Sequence, residues 1–205
     1  MNLFTFDRWP LQVICLAMIL SAVIDWWKFK VPNWLTLPVI VAGWLLGAGY
    51  DIGAACDWWA YPEGFTGSRI LASLACTALG FLLLFPMRIL KAMGGGDVKM
   101  QMGFGAWVGA YFGPSWGPWV VLWGFVTGVL AGGIIGLGIM VFDGQFGQHM
   151  QNLRNILSDT VKAGGSLGEM QKKADERKGS LVKLPYGVPL CIGFLAYLYF
   201  IYTPS

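Results

Sequence analysis

Apolar stretches long enough to cross a bilayer recur from one end of this chain to the other, and that repetition leaves few folds open. A hydrocarbon core about 30 Å thick takes roughly 20 apolar residues in a helix. In lipid every backbone N–H and C=O must be satisfied within the protein, which confines spanning segments to helices or closed barrels. Six such stretches are legible, at about 10–27, 34–50, 68–90, 98–112, 118–142 and 186–202. Composition agrees: of 205 residues 56% are hydrophobic and 12% charged, about half the charged share of a soluble domain. The chain is predicted to be an all-α, polytopic membrane protein with six transmembrane helices. Residues 1–205 make one membrane-embedded domain, with a loop of about 143–185 inserted between spans five and six. No internal repeat and no second domain are visible.

The cations set the orientation. Twelve of the fourteen Lys and Arg fall in the loops after spans one, three and five: Lys28 and Lys30, then Arg88, Lys91 and Lys99, then seven between Arg154 and Lys183. Arg8 and Arg69 lie on the other side. By the positive-inside rule those three loops are cytoplasmic and both termini lie outside. The segment 51–67 carries Asp51, Asp57 and Glu63 without a cation and reads as an external loop. Within 143–185, Phe146, Met150, Leu153, Leu157 and Val161 recur at spacings of three and four, the pattern of an amphipathic helix on the membrane or one docked on the span ends. The N-terminus lacks the basic region and cleavage site of a secretory leader. The four cysteines form no C-x-x-C pair, so neither a zinc ribbon nor a redox dithiol is indicated. His149, the only histidine, reads as a loop residue without a site role.

Two acidic residues stand at the cytoplasmic ends of spans. Asp25 closes the first span beside Trp26 and Trp27, indoles suited to the membrane boundary. Asp97 follows the triplet Gly94-Gly95-Gly96 and precedes Val98-Lys99. Alone, Asp25 reads as a carboxylate reaching interfacial water, and Asp97 as a helix N-cap. Together they reach the same depth. Two carboxyls in one site do not both ionise easily. The ionised member then takes a proton from water while the protonated member polarises a carbonyl. Glycine, without a Cβ, lets an extended substrate backbone lie beside Asp97. The fourth span is short before Gly113-Pro114, which places Asp97 close to the hydrocarbon. Gly103, Gly105 and Gly109, and then Gly128, Gly132, Gly133 and Gly136, suggest close helix contacts. Asn33 is placed to cap the second span.

Three segments resemble one family. Gly94-Gly95-Gly96-Asp97 matches the G-x-G-D motif of the type IV prepilin peptidases, which are intramembrane aspartic proteases. Asp25 with Pro32-Asn33-Trp34-Leu35-Thr36-Leu37-Pro38 is similar to the segment around that family's first catalytic aspartate. Leu184-Pro185-Tyr186-Gly187-Val188-Pro189-Leu190 resembles its P-Y-G-x-x-L element before the last span. The resemblance implies an endopeptidase of the bacterial inner membrane that removes the basic leader of prepilin or pseudopilin precursors at the cytoplasmic face. It implies Asp25 and Asp97 as the catalytic pair. Gly94, Gly95, Gly96, Lys99, Pro32, Asn33, Pro185, Tyr186 and Gly187 would line the substrate path, with no metal and no cofactor. Lys99 suits an anionic substrate end or lipid, or a snorkelling anchor. Its partners would be precursor helices and membrane lipids, not nucleic acid. The chain looks like the short, peptidase-only form, lacking the paired-cysteine extension of members that also N-methylate their product. A presenilin-like protease would have Tyr where Ile24 precedes Asp25. A proton-coupled transporter would carry more polar residues in mid-span, and a structural assembly subunit would not need either aspartate.

Overall fold

A computed structural model of the chain describes residues 8–28, 31–58, 67–89, 94–142 and 187–202. The described residues are all-α, without a strand: α1 (Trp9–Lys28), α2 (Asn33–Ala55), α3 (Arg69–Ile89), α4 (Gly95–Phe142) and α5 (Gly187–Tyr202). The first four are long and apolar enough to cross a membrane, and α5 is a shorter apolar helix. The segment 143–186, with its amphipathic pattern and His149, lies outside the described residues.

α4 is a helical hairpin rather than a rod. Gly113 interrupts it at φ 74, ψ −171, a region open essentially to glycine alone, and Pro114 cannot continue the helix before it. Beyond the break the chain folds back on itself. A Cβ on Gly117 would stand 3.2 Å from Gly109 Cα, and one on Gly124 3.5 Å from the Phe104 ring. The first limb, residues 95–112, takes in Gly95, Gly96 and Asp97. It therefore has 18 residues and is about 27 Å long, which removes the shortness expected of a helix starting at Val98.

That first limb is the core of the bundle. α3 packs along it through glycines that admit bare backbone: a Cβ on Gly105 would fall 2.2 Å from the Cys76 carbonyl oxygen, and one on Gly109 2.5 Å from that of Ala72. Ser73 Oγ donates to the Ala106 carbonyl oxygen at 2.8 Å, Trp107 Nε1 to that of Val39 at 2.8 Å, and Trp44 Nε1 to Thr77 Oγ1 at 3.0 Å. Without a hydrophobic drive between helices in lipid, such contacts hold a bundle together. α5 packs on both limbs: a Cβ on Gly193 would meet Gly128 Cα of the second at 2.2 Å, and Phe194 stacks on Phe104 of the first with centroids 3.9 Å apart. Gly128 and Gly132 make close helix contacts, with α5, whereas nothing among the described residues comes within 4 Å of a Cβ on Gly133 or Gly136. The outward faces carry Leu16, Trp27, Leu45, Ile134 and Phe200, large apolar groups suited to lipid.

The end opposite Asp25 and Asp97 is tied by Asp51 and Arg69. α2 runs on to Ala55 rather than stopping near Tyr50, because Ile52-Gly53-Ala54-Ala55 is still apolar and Asp51 is used in packing. Its Oδ2 accepts from Ser68 Oγ and from the Ile70 N–H at 3.1 Å, and its Oδ1 from the Arg69 N–H at 2.8 Å. An acid from one helix thus caps the next, where free N–H groups favour negative charge. Arg69 Nη1 donates to the Ala110 and Tyr111 carbonyl oxygens in the last turn before the Gly113 reversal, with its guanidinium 4.7 Å from the Tyr50 ring centroid. Asp51→Ala should lower stability by about 1–2 kcal/mol, the usual cost of a lost cap. Thermal melting in detergent checks this, and an unchanged midpoint would contradict it.

Candidate active site

Four chain segments converge at the other end of the bundle: the last turn of α1, residues 31–32, the first turn of α4 and the first residue of α5. Asp25 and Asp97 are each 4% exposed. Asp25 is buried because Ile14, Met18, Ser21, Ala22 and Asp25 share the inward face of α1 at helical spacing. Asp25 in the last turn of α1 and Asp97 in the first turn of α4 are thus buried at the same end of the bundle.

Each carboxyl is held by a glycine N–H. Gly187, opening α5, donates to Asp25 Oδ2 at 3.1 Å, and Gly94 donates to Asp97 Oδ2 at 3.2 Å. Asp97 is not the N-cap of α4. It is the third residue of the helix and reaches back to the residue preceding it, as the acid of a capping box does. Its other oxygen, Oδ1, is buried and has no hydrogen-bond partner among the described residues. The N-terminal turns of α4 and α5 therefore both aim N–H groups at the acidic pair.

The glycines serve this geometry in different ways. A Cβ on Gly187 would lie 2.9 Å from Asp25 Oδ2, and one on Gly94 3.2 Å from Asp97 Oδ2. At Gly96 the backbone that comes close is the chain's own: a Cβ there would stand 2.8 Å from Val31 Cβ and 3.0 Å from its N and O. Gly95 faces Arg88, whose Nε lies 3.5 Å from the position of a Cβ. Asn33 does not cap α2. Pro32 occupies the cap position and offers no side-chain bond, while its carbonyl oxygen accepts from the Leu35 and Thr36 N–H groups. Asn33 Oδ1 instead accepts from Lys99 Nζ at 2.8 Å, tying α2 to α4 at the exposed rim. Pro185 and Tyr186 lie outside the described residues.

Three polar groups escaped the reading of the sequence. Ser21, one turn before Asp25, is buried and donates to the Ala17 carbonyl oxygen at 2.8 Å. Thr36 lines a small cavity with Ser21, Met18, Val39, Lys99 and Met100, and its Oγ1 has no partner among the described residues. Gln101, one turn past Asp97, is fully buried with neither side-chain polar atom partnered among them. The available signal was spacing, since Ser21 and Gln101 each lie four residues from an aspartate on one helix face.

In comparisons with known proteins, neither a curated protein nor a solved structure matched the chain. A family model, that of the type IV leader peptidase family, matches residues 12–137, a stretch that covers more than half of the chain and includes both Asp25 and Asp97. The chain belongs to the type IV leader peptidase family.

Proposed function

We propose that the chain is an aspartic endopeptidase that removes the basic leader of type IV prepilin-like precursors, with Asp25 and Asp97 as its catalytic pair. The observation that carries this reading is that two buried carboxyls, from α1 and α4, stand at one end of the bundle, each held through one oxygen by a glycine N–H. Such a pair shares a proton. The ionised carboxyl takes a proton from a water as its oxygen attacks the scissile carbonyl, and the protonated carboxyl gives its proton to the carbonyl oxygen. On collapse the C–N bond breaks, the first carboxyl gives the proton it took from water to the amine nitrogen, and a hydroxyl of the gem-diol returns its proton to the second, so both carboxyls regain their starting states. The glycine N–H groups fix one oxygen of each carboxyl and so its orientation. Pro32, Asn33 and Lys99 form the rim past which a precursor reaches the pair, with Gly94, Gly95 and Gly96 on the same approach; Pro185 and Tyr186 lie outside the described residues.

The two limbs of α4 are read as spans four and five and α5 as span six. Lys28, Arg88 and Lys99 stand at the end that holds the aspartates, Asp51 at the other. By the positive-inside rule that charge pattern supports a cytoplasmic face for the pair in a bacterial inner membrane, with both termini read as periplasmic. A membrane-impermeant thiol reagent on intact cells should then label Cys56, which is exposed at the Asp51 end, and should not label a cysteine introduced at Lys28. Labelling at position 28 would reverse the orientation.

Asp25→Asn and Asp97→Asn should each lower precursor cleavage by about a hundredfold or more while leaving the protein folded, because each removes one proton-transfer partner. Chelators should have no effect. Near-normal turnover by either variant would sink the two-aspartate mechanism, and inhibition reversed by added zinc would point to a metal instead.

The glycines give a finer test. Gly187→Ala must displace either the Asp25 carboxyl or α5, and a shift of about 1 Å can lower a rate on the order of a hundredfold. Its loss should appear in kcat with melting little changed. Gly96→Ala pushes on Val31 and should lower the melting temperature together with the rate. Equal rates for Gly187→Ala and the unaltered protein would show that this contact does not hold Asp25 for catalysis.

A further inference from the structure

Gln101 lies four residues beyond Asp97 on α4 and is fully buried. Both of its amide atoms, Oε1 and Nε2, lack a hydrogen-bond partner among the described residues, and so does Oδ1 of Asp97. Buried polar groups in folded proteins are paired as a rule, so three such atoms within one helical turn call for an explanation. The rest of this face is apolar: Phe104 and Val108, the next residues along it, are buried. α3 leaves room for the glutamine, since a Cβ on Gly80 would lie 3.3 Å from Gln101 Cγ and 2.7 Å from its carbonyl oxygen. An apolar residue of that length would fill the same space.

Helix geometry relates the three atoms. Side chains lean toward the helix N-terminus, so a residue at i+4 covers the turn that carries residue i. Gln101 therefore lies over the turn of Asp97, with Cβ atoms about 5–6 Å apart, a spacing at which Gln and Asp side chains bond. An amide also suits both states of a carboxyl. Its N–H donates to an ionised oxygen, and its carbonyl oxygen accepts from a protonated one.

We propose that Gln101 is a positioning residue for Asp97, its amide turning onto Oδ1, the oxygen that the Gly94 N–H leaves free. With Gly94 on Oδ2 and Gln101 on Oδ1, the carboxyl keeps one orientation as its proton leaves and returns. The glutamine touches neither substrate nor water in this role. It acts through Asp97, and so the proposal rests on the dyad reading above.

Gln101→Met tests it, because the variant keeps the unbranched shape and removes both polar atoms. The folded protein should melt at the same or a higher temperature, while kcat for precursor cleavage falls about tenfold or more with KM unchanged, the loss expected for one hydrogen bond to a charged group. A residue that only supports the fold would not lower the rate while raising the melting point. Gln101→Leu carries the same test if the methionine variant does not fold. A second measurement needs no turnover. In Asp25→Asn protein with isotope-labelled aspartate, the infrared carbonyl stretch of protonated Asp97, assigned against Asp97→Asn, should move to higher frequency when Gln101 becomes Met. If the unaltered protein cleaves no prepilin, the leader-peptidase reading fails, and the infrared shift still decides the role of Gln101. An unmoved frequency, normal kinetics, or a raised KM with kcat unchanged would each overturn the proposal, the last by showing that the glutamine touches substrate.

Discussion

Two carboxyl groups buried in an apolar helical bundle are the costliest feature of this structure, and the arrangement around them follows from the need to satisfy them. An ionisable group at membrane depth must find donors or another charge. Asp25 and Asp97 each find a backbone N–H supplied by a glycine at a helix start, Gly187 for α5 and Gly94 for α4. Helix N-termini carry free N–H groups and partial positive charge, so two of them hold these acids with no cation bonded to either carboxyl among the described residues. That is also a chemically useful solution. A lysine or arginine locked onto either carboxyl would keep it ionised and unable to carry the shared proton.

The two ends of the bundle divide their work. At one end Asp51 and Arg69 close their bonds on the ends of α3 and of the first limb of α4, beside the reversal at Gly113. Along the bundle, Gly105 and Gly109 bring α3 against that limb at backbone contact. The limb is thereby fixed from both sides, and it presents Asp97 at the other end. There the polar groups are less completely paired: Asp97 Oδ1, Thr36 Oγ1 and both amide atoms of Gln101 lack partners among the described residues. Rigidity at the far end keeps the limb that carries Asp97 from shifting, as a site that must hold its geometry requires.

Much of this was legible in the sequence, for definite reasons. Long apolar runs announced the helices, Gly113-Pro114 marked the reversal, and two acids at the ends of spans on one side marked the candidate pair. Features carried by backbone were not legible. The N–H of Gly187 leaves no mark on its side chain, so its grip on Asp25 could not be told from a part in substrate binding. At Gly96 the need for bare backbone was read correctly, yet the backbone that arrives is that of Val31. Asn33 had the residue type of a helix cap, but the Pro32 carbonyl serves the first N–H groups and frees Asn33 for Lys99. Gln101 was passed over because one amide in a long apolar span looks like tolerated polarity until its burial and its distance in turns from Asp97 are known.

The central claim is that Asp25 and Asp97 act as one unit, and a double-mutant cycle on cleavage of a purified prepilin tests it most directly. Rates would be measured at matched folded protein for the unaltered enzyme, Asp25→Asn, Asp97→Asn and the double variant. If the two carboxyls share one proton and one reaction, losing the second costs nothing further, and all three variants fall to the same residual rate. Losses that multiply in the double variant, as they do for independent sites, would contradict the account.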